Sequence, residues 1–273
     1  MRIEIIPCLQ DNYSYLMIDE SNNTACVIDP SEAEPVINFI EKENITLKYI
    51  LNTHHHFDHI GGNMDLKNRY NSIVVGYKDD ANRIPEIQVL LEDGQIWKAD
   101  NFEAKIIHVP GHTTGHISFH FFKEKLIFTG DTLFSLGCGK IFEGTYQEMF
   151  NSLGKIKSLP EDTKIYCGHE YTLQNSKFCI KYEPGNVNLQ NKISKIQEKQ
   201  ISTYSGNIFP IQVEGSFDDC QRMVKEALVD KDLVNKFGDN NVIVTDVGPA
   251  LGVHAGPKVL CFAIQTLNDN LNK

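Results

Sequence analysis

No stretch of this chain is apolar for long enough to cross a bilayer. The longest apolar run near its end, Val259 to Ile264, falls far short of the roughly 20 residues a membrane helix needs, so no membrane partner is expected. A basic cluster is also missing: 26 Lys and Arg stand against 36 Asp and Glu, a formal charge of −10. Phosphate backbones are bound by basic faces, which argues against nucleic acid as a partner. The segment Met1 to Pro7 lacks an apolar core of signal-peptide length, and the cytoplasm is the expected compartment. The seven cysteines are odd in number and form no C-x-x-C pair, which fits reduced thiols better than a disulfide frame. With 41% hydrophobic and 23% charged residues over 273 positions, an ordinary folded protein is expected, as one large domain or a large domain with an appendage.

The densest chemistry lies in Thr53-His54-His55-His56-Phe57-Asp58-His59-Ile60-Gly61-Gly62. Tyr49-Ile50-Leu51 reads as the end of a buried strand, so the polar cluster falls where a strand opens into a loop, the usual position for a site on a rigid scaffold. On extended backbone His54 and His56 point the same way, and His55 points away. Asp58 and His59 follow on the turn, so two pairs of ligands can serve two ions lying side by side. Gly61-Gly62 reads as a tight turn behind them.

Residues 2–6 and 13–18 read as strands, and Cys26 to Pro30 closes another. Ser31 can cap a helix that carries Glu32 and Glu34 in its first turn, has an apolar stripe through Val36, Ile37, Phe39 and Ile40, and ends at Asn44. Strand 47–51 follows, then a helix over Asn63 to Tyr70 and a strand over Ile73 to Tyr77. Pro85 to Asp100 reads as hairpin-like, turning at Glu92-Asp93-Gly94. The strand Lys105 to Val109 empties into Pro110-Gly111-His112-Thr113-Thr114-Gly115-His116. Strands 117–122 and 125–129 lead to Gly130-Asp131, and Thr163 to Cys167 leads to Gly168-His169. Several strands thus deliver a ligand-type residue just past their carboxyl ends, as in an α/β sandwich of two sheets with helices outside and a site along one edge.

Taken in order, T-H-H-H-F-D-H-I-G-G, G-H-T-T-G-H, T-G-D-T-L-F and C-G-H-E-Y resemble the metallo-β-lactamase superfamily. The opening I-P-C-L-Q-D-N-Y-S-Y-L, the segment F-S-L-G-C-G-K-I-F-E-G-T and E-P-G-N resemble, within it, the glyoxalase II (hydroxyacylglutathione hydrolase) family over residues 1–190. The resemblance implies an αββα sandwich, with one divalent metal held by His54, His56 and His112, a second by Asp58, His59 and His169, and Asp131 bridging them. Zinc is expected, with iron or manganese as alternatives, since imidazole and carboxylate ligands discriminate weakly among first-row ions. It further implies hydrolysis of a small-molecule glutathione thioester, S-lactoylglutathione to glutathione and D-lactate, by a metal-bridging hydroxide, with Asp58 and Asp131 as catalytic residues. Lys140, His169 and Tyr171 would contact the tripeptide. Phe142 stands where the family commonly has a tyrosine. For His116 the choice between a ligand and a residue that orients a ligand or fastens its loop stays open. His108 and His120 read as ordinary strand histidines, and Cys138 as no nucleophile.

The family's C-terminal basic clamp is absent from this sequence. The expected division is a metallo-β-lactamase domain over residues 1–172, a helical connector over 173–205 that includes a helix from Asn186 to Gln200, and a small β-α-β extension over 206–273. The close of that extension, Asp246 to Lys258, resembles the end of DegV-type fatty-acid-binding proteins. The extension is expected to cap the site, to support oligomerisation or to be the remnant of a gene fusion. The alternatives to the glutathione reading are a hydrolase of the same fold acting on another acyl thioester, and an acyl-chain or lipid-binding protein working through the C-terminal module.

Overall fold

The computed structural model describes residues 1–203; the expected β-α-β extension, with its DegV-like close, lies outside the described residues. A six-stranded sheet is built in chain order from β1 (Arg2–Cys8), β2 (Asn12–Asp19), β3 (Thr24–Ile28), β4 (Thr46–Leu51), β5 (Ile73–Tyr77) and β6 (Val89–Leu91). Its first three strands run antiparallel and the later ones pair in parallel. The second sheet has the order β13-β10-β9-β8-β7, from β7 (Ile96–Ala99), β8 (Phe102–His108), β9 (Ile117–Phe121), β10 (Leu126–Gly130) and β13 (Lys164–Cys167). A short ribbon of β11 (Leu133–Phe134) and β12 (Gly137–Cys138) lies between β10 and β13 in the chain.

The strand sequences explain the layering. Alternation sends Tyr15 and Met17 of β2 into one cluster with Leu51, Trp97, Phe102, Phe119 and Phe128, the layer between the sheets. Leu16 and Ile18 face the other way, onto Val36, Ile40 and Leu66 of α1 (Ala33–Glu43) and α3 (Asn63–Tyr70). On the outside of the second sheet, Ile107 and Ile127 meet Met149, Leu153 and Ile156 of α4 (Tyr146–Lys157). Strands covered on both faces read as near-continuous apolar runs, and β2, β3, β9 and β10 are buried along their whole length. The one-turn α2 (Phe57–Ile60) carries Asp58 and His59. The helices α5 (Thr172–Tyr182) and α6 (Val187–Thr203) follow, joined to the β11–β12 turn through Leu136, Cys179 and Leu189. Among the described residues no helix is long and apolar enough to cross a membrane.

Three local expectations need correction. Ser31 does not cap α1: the cap position is Glu32, without a side-chain bond to the helix. Ser31 is buried with its amide donating to Ser14 Oγ, and the Glu32 carboxylate accepts from the Leu9 amide at 2.7 Å. Residues 85–100 are not a hairpin, because β6 pairs with β5 in one sheet and β7 with β8 in the other. The turn at Glu92-Asp93-Gly94 therefore carries the chain between layers. Gly61 and Gly62 have ordinary right-handed backbone. Their lack of a side chain is needed for close approach, since a Cβ would lie 2.5 Å from Ser31 O at Gly61 and 2.8 Å from the Glu32 carbonyl carbon at Gly62.

Candidate metal centre

The carboxyl ends of β3, β4, β8, β10 and β13 open on one edge of the sandwich, and the Ile117 amide donating to Thr53 O at 2.8 Å ties the two sheets together there. Two groups of ligand-type atoms result. Those of His54, His56 and His112 all lie within 4.8 Å of one another, and so do those of Asp58, His59 and His169. Asp131 stands between the groups. Its Oδ1 is 3.3 Å from His59 Nε2, while its Oδ2 is 3.3 Å from His169 Nε2 and 3.4 Å from His112 Nε2. Asp58 Oδ2 lies 3.6 Å from His59 Nε2 and 3.3 Å from His169 Nε2.

Behind four of the five imidazoles an acceptor occupies the other ring nitrogen, which fixes the tautomer and aims the free lone pair inward; His56 Nδ1 instead lies 3.0 Å from His112 Nε2. His112 Nδ1 donates to Lys140 O at 2.6 Å, His59 Nδ1 to Asp29 at 3.1 Å and His169 Nδ1 to Asp11 at 2.9 Å. His54 Nδ1 pairs with Thr53 Oγ1 at 3.1 Å. Asn12 Nδ2 donates to Asp58 Oδ2 at 3.0 Å. Asp29, Asp11 and Asn12 escaped the sequence reading, although Asp29 ends a strand as Asp131 nearly does. Asp29 also falls near enough to His54 and His59 to form a third ligand-type group. Its oxygens are already taken by Thr53 N, Thr53 Oγ1 and His59 Nδ1, so it supports ligands and is not one itself.

The donor set fits a cation. His54 Nε2 is buried with no hydrogen-bond partner, and buried Asp131 Oδ1 has only the His59 ring beside it at 3.3 Å, a costly state that an ion at the centre would relieve. Charge balance agrees. Burial drives His54 well below the ordinary histidine range and pushes His56 down to about 4, so both are neutral and able to ligate. Burial would also pull His59 and His169 down, yet Asp131 with Asp29, and Asp131 with Asp58, raise them, His169 to about 10. Carboxylates that draw protons onto buried imidazoles mark a site short of positive charge. The chain thus supplies a His/Asp cluster for divalent metal.

Other expected residues find their places. His116 stacks on His54 with ring centroids 4.6 Å apart and accepts from the Asp131 amide at 3.0 Å through Nε2; it fastens the Asp131 loop and belongs to neither ligand group. His55 points away, its ring nitrogens each 3.4 Å from a carboxylate, of Asp80 and of Glu143. His120 is a buried strand residue. His108 does more than fill a strand, stacking on Tyr77 and bonding Thr114 O at 2.8 Å. Burial pushes the Cys138 thiol up to about 12, which leaves it unreactive. Phe142 is 58% exposed and sets its edge against His56 and His112 at 5.6 and 5.3 Å. Lys140 Nζ lies 5.0 Å from the Phe142 ring centroid, and Tyr171 stacks on His169 at 4.9 Å. Gly168 is required here, since a Cβ would overlap Asp131 Oδ1 and lie 2.7 Å from His59 Cε1.

Two stacked sheets flanked by helices, with a His/Asp cluster where the strands end, define a metallohydrolase-type scaffold. The sequence profile of the metallo-beta-lactamase superfamily matches residues 10–169, and the chain belongs to that superfamily. It is similar to the hydroxyacylglutathione hydrolase of Pelagibacter ubique (strain HTCC1062), at 66% identity over 199 residues, 73% of this chain and 83% of that protein. Among solved structures it resembles the BLEG-1 B3 metallo-beta-lactamase, at 26% identity and TM-score 0.58, covering 62% of this chain and 92% of that one. A protein solved in a di-iron-bound form shares 25% identity and a TM-score of 0.50, with coverage of 62% and 92%.

Proposed function

We propose that this chain hydrolyses a glutathione thioester, S-lactoylglutathione being the reference substrate, to glutathione and a hydroxy acid. One metal is assigned to His54, His56 and His112, a second to Asp58, His59 and His169, and Asp131 is assigned to both. The observation that carries the reading is the pair of buried acceptors, His54 Nε2 and Asp131 Oδ1, that converge in the His/Asp cluster; similarity to a relative 66% identical and named for this activity supports it. Zinc is the first choice of ion, and iron or manganese suits the same donors; the similar protein in di-iron-bound form supports a pair of first-row ions.

When bound, the metals would supply a water of lowered pKa and polarise the thioester carbonyl. The chain's own residues do the rest. Asp58 Oδ2, held by Asn12 at 3.0 Å, orients the attacking water. Water oxygen adds to the carbonyl carbon as the water gives up a proton, the carbon–sulfur bond breaks, and the departing thiolate takes up a proton to give glutathione. Lys140 offers a cation to a glutathione carboxylate, and Tyr171 and Phe142 line the approach. The partner is a small molecule in the cytoplasm. Residues 1–172 are assigned to the metal-binding domain, and the helices after it, described as far as residue 203, to the helical connector. The test is a kinetic screen of metal-loaded protein against S-lactoylglutathione, acyl-CoA thioesters and a β-lactam. A clear preference for either of the latter would overturn the glutathione assignment.

A further inference from the structure

Beside the metal cluster lies a second charge network with no part in ligation, which runs from a buried carboxylate out to the surface. Asp80, in the 3-10 turn Lys78–Asp80 after β5, is fully buried. Its carboxylate faces Arg83, whose Nε donates to Oδ1 at 3.0 Å and whose Nη2 reaches the same oxygen. The other side of the same guanidinium grips Glu143, with Nη1 2.8 and 2.9 Å from the two carboxylate oxygens. Glu143 in turn accepts from the Thr114 amide and hydroxyl at 2.8 and 2.9 Å. Along the same seam the Phe142 amide donates to His112 O and the Gly144 amide to Gly111 O, both at 3.1 Å. Glycine is needed at 115, because a Cβ there would overlap the Asp80 carboxylate.

A planar guanidinium donating to two carboxylates at once fixes both distance and angle, which a lysine cannot do. Asp80 is anchored in the core, so the geometry runs outward from it, through Arg83 and Glu143, to residues 140–144. We propose that Arg83 is a positioning residue for substrate recognition: acting through Glu143, it straps the segment bearing Lys140 and Phe142 to the His112 loop and sets the substrate half of the site. Its substrate terms rest on the glutathione-thioester reading above.

The test uses the full chain as wild type, Arg83→Ala, Glu143→Ala and the double variant, with metal per chain, steady-state kinetics on S-lactoylglutathione, and amide exchange at residues 140–144. Glu143→Ala keeps the Asp80–Arg83 pair and guards against misfolding of Arg83→Ala. Both single variants should retain metal, raise KM roughly tenfold with kcat changed far less, and speed exchange of the Phe142 and Gly144 amides. If Arg83 acts through Glu143, the double variant is no worse than the singles. Additive effects, an unchanged KM or unchanged exchange would overturn the proposal. Should the wild type hydrolyse no glutathione thioester, that reading falls on its own, and unchanged exchange in both single variants would still overturn the strap.

Discussion

Asp29→Asn tests whether metal retention depends on a residue that is not itself a ligand. The Asp29 carboxylate is buried and accepts three hydrogen bonds, from Thr53 N and Thr53 Oγ1 at 2.7 Å and from His59 Nδ1 at 3.1 Å. An asparagine of the same shape must turn its NH2 toward one of those donors. Against His59 it forces the ring proton from Nδ1 to Nε2, the nitrogen aimed at Asp58 and Asp131, and that lone pair is lost to the metal. Against Thr53 it sets two donors face to face, leaving a buried one unsatisfied at a cost of about 1–3 kcal/mol. Through the metal equilibrium that is roughly five- to 150-fold, in the range expected when a residue orienting a ligand is removed. The assay is competition with a chelator of known affinity, read by elemental analysis, with thermal unfolding of the chelated protein as a control for folding. Metal affinity within twofold of wild type, in a variant that folds normally, would refute the claim that Asp29 sets the His59 tautomer.

Asp131→Ala should drop metal content below one ion per chain, because one residue faces both ligand groups, while His55→Ala should leave it near wild type; equal losses in elemental analysis would remove the bridging assignment. Phe142→Tyr should lower KM for a glutathione thioester about two- to fivefold with kcat little changed, since its edge lies over the His56 and His112 rings and a hydroxyl there adds a contact to substrate. Gly168→Ala should empty the site without unfolding the chain, read as metal loss at a retained far-UV spectrum, because its Cβ has no room beside His59 and Asp131. The Glu143 carboxyl is lowered from its ordinary 4.5 to about 2: burial opposes ionisation, but bonds from Thr114 and Arg83 outweigh it. Its stabilising contribution is therefore fully present above pH 4.5 and lost as pH falls through about 2. The difference in stability between wild type and Glu143→Gln should accordingly shrink across that window in acid titrations followed by denaturant unfolding.

Much of the scaffold was legible in the residues alone. Asn12–Asp19 reads as a strand through the alternation of Tyr13, Tyr15 and Met17, and Leu126–Gly130 through its apolar start, while ligand-type residues just beyond the ends of β4, β8, β10 and β13 mark the edge where a site can form. The alternation of extended backbone by itself separates His54 and His56 from His55. What local pattern cannot carry is contact between segments far apart in the chain. Asp11 meets His169 across 158 positions and Asn12 meets Asp58 across 46; both polar residues sit in an N-terminal stretch that reads as an ordinary turn and strand. Ser31 has the composition of a helix cap, but packing of β2 against the 29–31 segment gives its amide to Ser14 instead. Glu92-Asp93-Gly94 has hairpin chemistry, and only the stacking of two sheets turns it into a crossing between layers. The sequence by itself determined which side chains can ligate, because their chemistry and spacing are local. The tertiary structure alone decided which acceptors stand behind the His54, His59, His112 and His169 rings, because tautomers are set by whatever the fold brings to the other nitrogen.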